Sequence, residues 1–119
     1  MPAVRMLAMP ADTNPAGDIF GGWILAQMDI AGGTRAYERA NGRVATVAID
    51  GMTFHAPVFV GDVVSFYADV VASGRTSLTI EIESWAQRGR TGEKVKVTEG
   101  RFVYVAIDDQ RRPRPLPEP

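Results

Sequence analysis

The sequence contains no cysteine and a single histidine, His55, among its 119 residues. The absence of cysteine excludes disulfides, thiolate nucleophiles and cysteine metal sites, and one imidazole is too few for a histidine-based zinc site. The formal net charge is only -1, from 13 basic and 14 acidic residues. A chain this close to neutral lacks the positive surface that phosphate backbones require, so we expect no nucleic-acid partner. From the cysteine and histidine counts we expect no metal.

Long apolar runs are also missing. The longest uncharged stretch near the N-terminus, residues 19–28, is too short to cross a bilayer, and the first residues do not resemble a secretion signal. We therefore expect no membrane partner and a cytoplasmic location. A composition of 45% hydrophobic and 23% charged residues is typical of one globular domain.

One segment, residues 21–40, has the character of a helix. It begins at Gly21-Gly22 and ends before Asn41-Gly42, which is a strong stop signal. Its first half is apolar nearly all the way round, which predicts a buried helix. Its second half is polar and should reach solvent.

Strand patterns occupy most of the remaining chain. Residues 4–9 form a short strand pattern, and a loop dense in turn-forming residues follows it. Beyond residue 42 the apolar pattern changes to period two, with predicted strands at 43–54, 63–72, 76–85 and 94–107. In the last of these strands, four valines are expected to share one face: Val95, Val97, Val103 and Val105.

Strands joined by hairpins favour an antiparallel sheet, so the predicted class is α+β. One apolar helix and one sheet bury each other best if the sheet curves around the helix. This description matches the hot-dog fold, a curved antiparallel sheet of about five strands around one long central helix. We assign this domain to residues 1–108 and a proline-rich tail to residues 109–119, which we expect to be solvated and irregular.

Asp29 breaks the apolar pattern of the helix, because it lies beside Met28 and Ile30. Either the helix is tilted and Asp29 faces water, or Asp29 is a carboxylate at the edge of an apolar cleft and acts as a general base. Gly21-Gly22 likewise has two interpretations. The pair is a tight junction between loop and helix, or it exposes the first helical N–H groups as an oxyanion hole.

Asp29 lies about two turns, roughly 10 Å, beyond Gly22 along a helix. One chain's Asp29 is therefore expected to be far from its own helix start, and a site shared between two subunits would close that gap. Gly32 and Gly33 are expected to let the two subunits approach each other closely.

Three neighbouring segments together resemble the acyl-CoA thioesterases of the hot-dog superfamily, in particular the small YciA-like hydrolases of bacteria. The segments are Asp12-Thr13-Asn14, Gly17 to Ile24, and Gln27-Met28-Asp29. Similarity continues through Gly42 to Val47, Val60 to Val64, Gly74 to Ser77 and Phe102 to Ala106, so that it covers about residues 6–114.

The resemblance implies a set of site residues. Asp29 matches the catalytic carboxylate, which acts as a general base or, alternatively, as a nucleophile that forms an anhydride. Asn14 matches an asparagine that works opposite it across a dimer. The backbone around Gly22 and Trp23 matches the oxyanion site at the start of the helix, and Gly21 is expected to contact the substrate. A turn near bound coenzyme A is matched by Gly74, Arg75, Thr76 and Ser77.

The implied function is hydrolysis of acyl-CoA to a free acid and coenzyme A, without a cofactor. The resemblance also implies a homo-oligomer, which is at least a dimer and is expected to be a trimer of dimers. One departure is Ala56, where many relatives carry a cation before the proline that matches Pro57. Two alternatives stay open: a non-enzymatic acyl-CoA binder, and a hot-dog dehydratase that uses His55. Because His55 follows a strand outside the signature, we expect it to be structural.

Three arginines at predicted turns could bind phosphate: Arg75, Arg88 and Arg90. Arg75 is the best candidate for the nucleotide end of coenzyme A, and a solvated hairpin charge is the alternative. The tail arginines Arg111, Arg112 and Arg114 are expected to be solvated.

Overall fold

The computed structural model describes all 119 residues. Every predicted helix and strand is present, and each boundary lies within a few residues of its predicted position. The elements are β1 (Val4–Leu7), a 3₁₀ turn (Pro10–Asp12), α1 (Gly21–Ala40), β2 (Val44–Phe54), β3 (Val63–Ser73), β4 (Ser77–Gln87) and β5 (Lys94–Ala106).

The five strands form one antiparallel sheet in the order β1-β3-β4-β5-β2. The helix α1 packs against this sheet and contacts all five strands. The core lies between them and includes Met28 from the helix and Phe66, Ile80, Phe102 and Tyr104 from the strands. No helix is both long enough and apolar enough to span a membrane.

The helix is amphipathic within one chain, so the expectation that its first half is buried on all sides is wrong for a single chain. Its buried residues are Ile24, Met28, Ala31, Gly32, Ala36 and Ala40. Ile30 is 54% exposed, and Val47 and Ile49 are exposed on the edge strand β2. An apolar helix face and an apolar sheet edge are thus left uncovered together.

The expected valine face of β5 is wrong because the strand contains an irregularity. Ser84 pairs with Thr98 but Trp85 pairs with Lys96, so the residue between them has no partner on β4. Such a bulge reverses which residues face the core. Beyond it, the buried residues of β5 are Thr98, Gly100, Phe102, Tyr104 and Ala106.

Gly32 does not serve contact between subunits. A Cβ at this position would collide with the Tyr104 hydroxyl and lie 2.6 Å from Cδ1 of Ile82. Glycine in a helix interior costs about 1 kcal/mol relative to alanine, so the cost is accepted here for close packing of the helix on Tyr104. At Gly33 the nearest atom would lie at an ordinary 3.8 Å.

The tail has no helix or strand, as expected, but it is docked rather than solvated. Arg114 is half-buried and donates to the carbonyl oxygens of Ala40 and Ile107, each at 3.0 Å. Leu116 packs against the core, and its amide donates to the Arg75 carbonyl at 2.8 Å. The tail therefore links the end of the helix to the β3–β4 hairpin.

Candidate active site

Asp29 is half-buried in the middle of α1, where its carboxylate faces the sheet. One oxygen, Oδ1, accepts two hydrogen bonds: one from the Thr46 hydroxyl at 2.8 Å and one from the Tyr104 hydroxyl at 2.9 Å. No protein atom donates to the other oxygen, Oδ2, and no basic side chain forms an ion pair with this carboxylate. Asp29 is thus an oriented carboxylate with one free oxygen.

The sheet register brings the two donors together. Thr46 on β2 and Tyr104 on β5 are direct cross-strand partners, so their side chains lie on the same face. The pairing of β2 shifts immediately after Thr46, which places a bulge beside this site.

The Tyr104 hydroxyl is a permanent donor. The residue is only 1% exposed. Burial, together with its hydrogen bond to Asp29, raises the pKa of Tyr104 far above its ordinary value. The phenol is therefore protonated at any working pH and can only donate to the carboxylate.

The first turn of α1 carries free N–H groups. No side chain caps this end, and the amides of Gly21 and Gly22 have no acceptor in the chain. The Trp23 amide donates to the Phe20 carbonyl at 3.1 Å, so it is not free. Nothing lies within 4 Å of a Cβ built on Gly22. The free donor pair is therefore Gly21 and Gly22 rather than Gly22 and Trp23, and a ligand can reach it.

A groove of about 390 Å³ opens beside this helix end. Asn14 and Gly21 line it together with the segment 54–58 that follows β2. Oδ1 of Asn14 accepts from the amides of Ala16 and Asp18 at 3.0 and 3.1 Å, which fixes the loop and the orientation of the side-chain amide. Nδ2 of Asn14 has no protein partner, so it is available as a donor.

His55 also lines this groove, so the expectation that it lies away from the loop and helix signature is wrong. Its Nε2 lies 2.9 Å from Oε1 of Glu99, whose other oxygen accepts from Lys96 at 2.8 Å. Lys96 and, secondarily, His55 hold the pKa of Glu99 below its ordinary value. The imidazole is thus tied to an exposed ion pair at the rim of the groove.

The predicted coenzyme A turn forms the β3–β4 hairpin. The Gly74 amide donates to the Ser77 carbonyl at 2.9 Å, and the Thr76 carbonyl accepts from Ala106. Arg75 is exposed and its guanidinium has no carboxylate partner. An unpaired arginine on a fixed turn is free to bind a phosphate.

Arg88 is excluded as a phosphate ligand. It forms an ion pair with the buried Asp62, donates to the Pro57 carbonyl at 3.1 Å and lies over the ring of Phe59. Its charge is already satisfied, and it holds the loop that leads into β3.

The predicted site residues thus fall into two groups within one chain. Asn14 and Gly21 line one groove at the start of the helix, and Gly22 is the next residue of that first turn. Asp29 lies farther along, held by β2 and β5, and it does not line the groove. A single chain does not bring the carboxylate and the free N–H groups together.

A second groove, of about 400 Å³, lies on the outer face of the sheet. Its lining includes the carboxylates of Asp69, Glu81 and Glu83. The basic side chains of Arg5 and Lys94 line it as well, and none of the predicted site residues does. This groove lies on the side of the sheet opposite the helix. We therefore assign the site to the helix side, although the two grooves are similar in volume.

Sequence reasoning missed Thr46 and Tyr104. Both lie inside segments that carry the resemblance, but neither has a local sequence feature that indicates a role at the site. The one available signal was a tyrosine hydroxyl within a predicted strand of the sheet, since a buried phenol needs a partner.

Comparisons with known proteins agree on one family. The profile of the thioesterase superfamily matches residues 16–93, which is well over half of the chain. The chain belongs to the thioesterase superfamily. The hot-dog fold is confirmed by likeness to a solved hexameric thioesterase from Yersinia pestis, which is 53% identical, with a TM-score of 0.96 over 100% of this chain and 97% of that one.

Two further relatives within the thioesterase superfamily support the expected branch. The acyl-CoA thioester hydrolase YciA of Salmonella typhimurium is 55% identical over 96% of this chain and 88% of its own length. A hexameric broad specificity acyl-coenzyme A thioesterase, solved as an aspartate-to-alanine mutant, is 45% identical with a TM-score of 0.96 over 99% of this chain and 87% of that one. The resemblance to YciA-like thioesterases is confirmed.

Proposed function

We propose that the protein hydrolyses acyl-CoA thioesters to a carboxylic acid and coenzyme A, with Asp29 as general base. The observation that carries the role of Asp29 is its geometry: an oriented carboxylate with one free oxygen and no cationic partner. The names of close relatives, which are acyl-CoA thioester hydrolases, support the reaction class.

In the proposed reaction, Oδ2 of Asp29 takes a proton from water while the water oxygen attacks the thioester carbonyl carbon. The N–H groups of Gly21 and Gly22 stabilise the resulting oxyanion. The carbon–sulfur bond then breaks, and the thiolate of coenzyme A takes the proton from Asp29, which restores the carboxylate. Apart from the attacking water, every group in this scheme belongs to the chain or the thioester, so no metal or other cofactor is part of the proposal.

The site is proposed to be shared between two subunits. β2 is an edge strand of 11 residues with exposed apolar side chains. Antiparallel pairing of two such edges about a two-fold axis sets the start of one β2 beside the end of the other. Thr46 near the start contacts Asp29, and Phe54 at the end lines the groove beside Gly21. The arrangement therefore brings the Asp29 of one subunit close to the Asn14 groove of its partner.

The proposed assembly is a homo-oligomer of such dimers. Similar solved thioesterases from Yersinia pestis and Campylobacter jejuni are described as hexameric, which supports a trimer of dimers. Arg75 on the hairpin is proposed to bind the nucleotide end of coenzyme A. The cytoplasmic location stays a prediction.

Subunit complementation tests both the chemistry and the shared site. Asp29→Asn and Asn14→Ala should each abolish most thiol release from acyl-CoA, since a general base contributes about 10²–10⁴-fold. After subunit exchange, half of the dimers carry one intact site, so activity should recover to about a quarter of wild type. Activity of Asp29→Asn within a few-fold of wild type would refute its role as base.

If both single variants are inactive and mixtures whose exchange is confirmed by mass stay inactive, the two residues act within one chain. Wild-type protein taken through the same exchange procedure is the control. A panel of acyl-CoAs of different chain length, measured with the same thiol assay, then defines the acyl preference.

A further inference from the structure

The contact between Tyr104 and Asp29 requires a helix position that has no side chain. Glycine is disfavoured in the middle of a helix, yet Gly32 follows Asp29 by less than one turn. Any Cβ there would displace the Tyr104 hydroxyl or the end of Ile82. Gly32 thus has a lower helix propensity than any residue with a side chain except proline, but its missing Cβ leaves room for the Tyr104 hydroxyl to reach the Asp29 carboxylate.

The hydroxyl did not need the carboxylate in order to be satisfied. It lies 3.1 Å from the Asp29 carbonyl oxygen and 2.9 Å from Oδ1. A backbone acceptor alone would have served a buried phenol. Contact with the side chain therefore does something beyond satisfying a buried donor.

Orientation of the carboxylate is what this contact adds. The two oxygens of a free carboxylate are equivalent, and rotation about the terminal torsion of the side chain exchanges them. With two hydroxyl donors on Oδ1, that exchange would break two hydrogen bonds to a charged group. Oδ2 is then the oxygen left for the substrate side.

We propose that Tyr104 is a positioning residue for thioester hydrolysis, which keeps Oδ1 of Asp29 occupied and so presents Oδ2 to the attacking water. This inference rests on the proposed role of Asp29 as base. Tyr104 touches neither water nor substrate in this scheme, and it acts only through the carboxylate.

The test is Tyr104→Phe, which deletes one hydroxyl and keeps the ring. We expect kcat to fall about ten- to hundredfold, the range for one hydrogen bond to a charged group, with KM unchanged within about twofold. Tyr67→Phe on the outer sheet face is the matched control and should change neither quantity.

A double-mutant cycle distinguishes positioning from an independent role. Asp29→Asn combined with Tyr104→Phe should be no slower than Asp29→Asn alone. An unchanged kcat in Tyr104→Phe, beside an inactive Asp29→Asn, overturns the inference and leaves the proposed function intact. An active Asp29→Asn overturns the proposed base, and with it the inference.

A second pair of variants serves if Tyr104→Phe fails to assemble. Gly32→Ala pushes the hydroxyl away, whereas Gly33→Ala adds the same methyl group where the nearest atom lies at 3.8 Å. Among assembled hexamers or dimers, a loss of kcat confined to Gly32→Ala supports the inference. Equal kcat in the two variants overturns it.

Discussion

The two ends of α1 are completed in opposite ways. At the C-terminal end, Asn41 adopts a left-handed conformation with φ of 53°, and its amide bonds back to the last turn. Arg114 from the tail donates to the Ala40 carbonyl there. At the N-terminal end no side chain caps the helix, and Gly21 and Gly22 keep free N–H groups beside a groove.

This difference separates a structural helix end from a functional one. Both ends of any helix carry backbone groups without helical partners, and folded proteins normally satisfy them. At the C-terminal end of α1, for which no chemistry is proposed, Arg114 of the tail donates to a free helix carbonyl. The chain leaves open the end that faces the groove, where an oxyanion would supply the missing acceptor.

The largest expected effect comes from closing the open end. Gly22→Val should lower kcat/KM by about 10²–10³-fold, because a branched side chain directed toward the helix start blocks approach to the free donors. The fold should survive, since no atom lies within 4 Å of the new Cβ. Glu38→Val, at an exposed position near the other end of the same helix, is the control. Full activity in Gly22→Val would mean that this end binds no reacting atom.

The second effect comes from opening the closed end. Arg114→Met keeps the side-chain stem but removes donors to three carbonyls, so the free energy of unfolding should fall by about 1–3 kcal/mol. Chemical denaturation measures this, and kcat at a temperature well below unfolding should stay within about twofold. Arg112→Met, at an exposed position of the tail, should cost little. A loss of kcat without a loss of stability would assign the tail a part in the reaction.

A smaller effect is expected at the rim of the open end. His55→Ala should leave hydrolysis within about tenfold of wild type, because the proposed mechanism takes no proton from the imidazole. Thiol release with the oligomer verified by mass gives the result. A loss beyond about a hundredfold, the low end of acid–base effects, would favour the dehydratase alternative.

The smallest effect concerns the exposed pair of Lys96 and Glu99 beside His55. Because the pKa of Glu99 is lowered in the folded chain, its contribution is present above the ordinary value of 4.5 and disappears as the pH falls below it. Lys96→Met should therefore lower Tm at pH 7 by at most about 3 °C. The difference from wild type should shrink as the pH falls below 4. A difference that persists in acid would assign the lysine a role other than this ion pair.

Much of the fold was predictable because its signals are local. The bounds of α1 follow from glycines at its start and Asn41-Gly42 at its end, and β4 shows a clean alternation of Leu78, Ile80 and Ile82 with polar residues. The valine face of β5 failed because nothing in the sequence marks a bulge. A bulge depends on how two strands match over their whole length, which no short window contains.

At the candidate site, too, the features with local signals were predictable and those that depend on distant residues were not. Sequence by itself determined the elements, the family signature around Asp29 and the pair of glycines at the helix start, since each depends on residues that are neighbours in the chain. Tertiary structure alone decided which donors hold Asp29, because Tyr104 lies 75 residues away and meets it only through sheet register and Gly32. It also decided that the tail closes one helix end and leaves the other open, because backbone groups take their partners from whatever segment the fold brings near them.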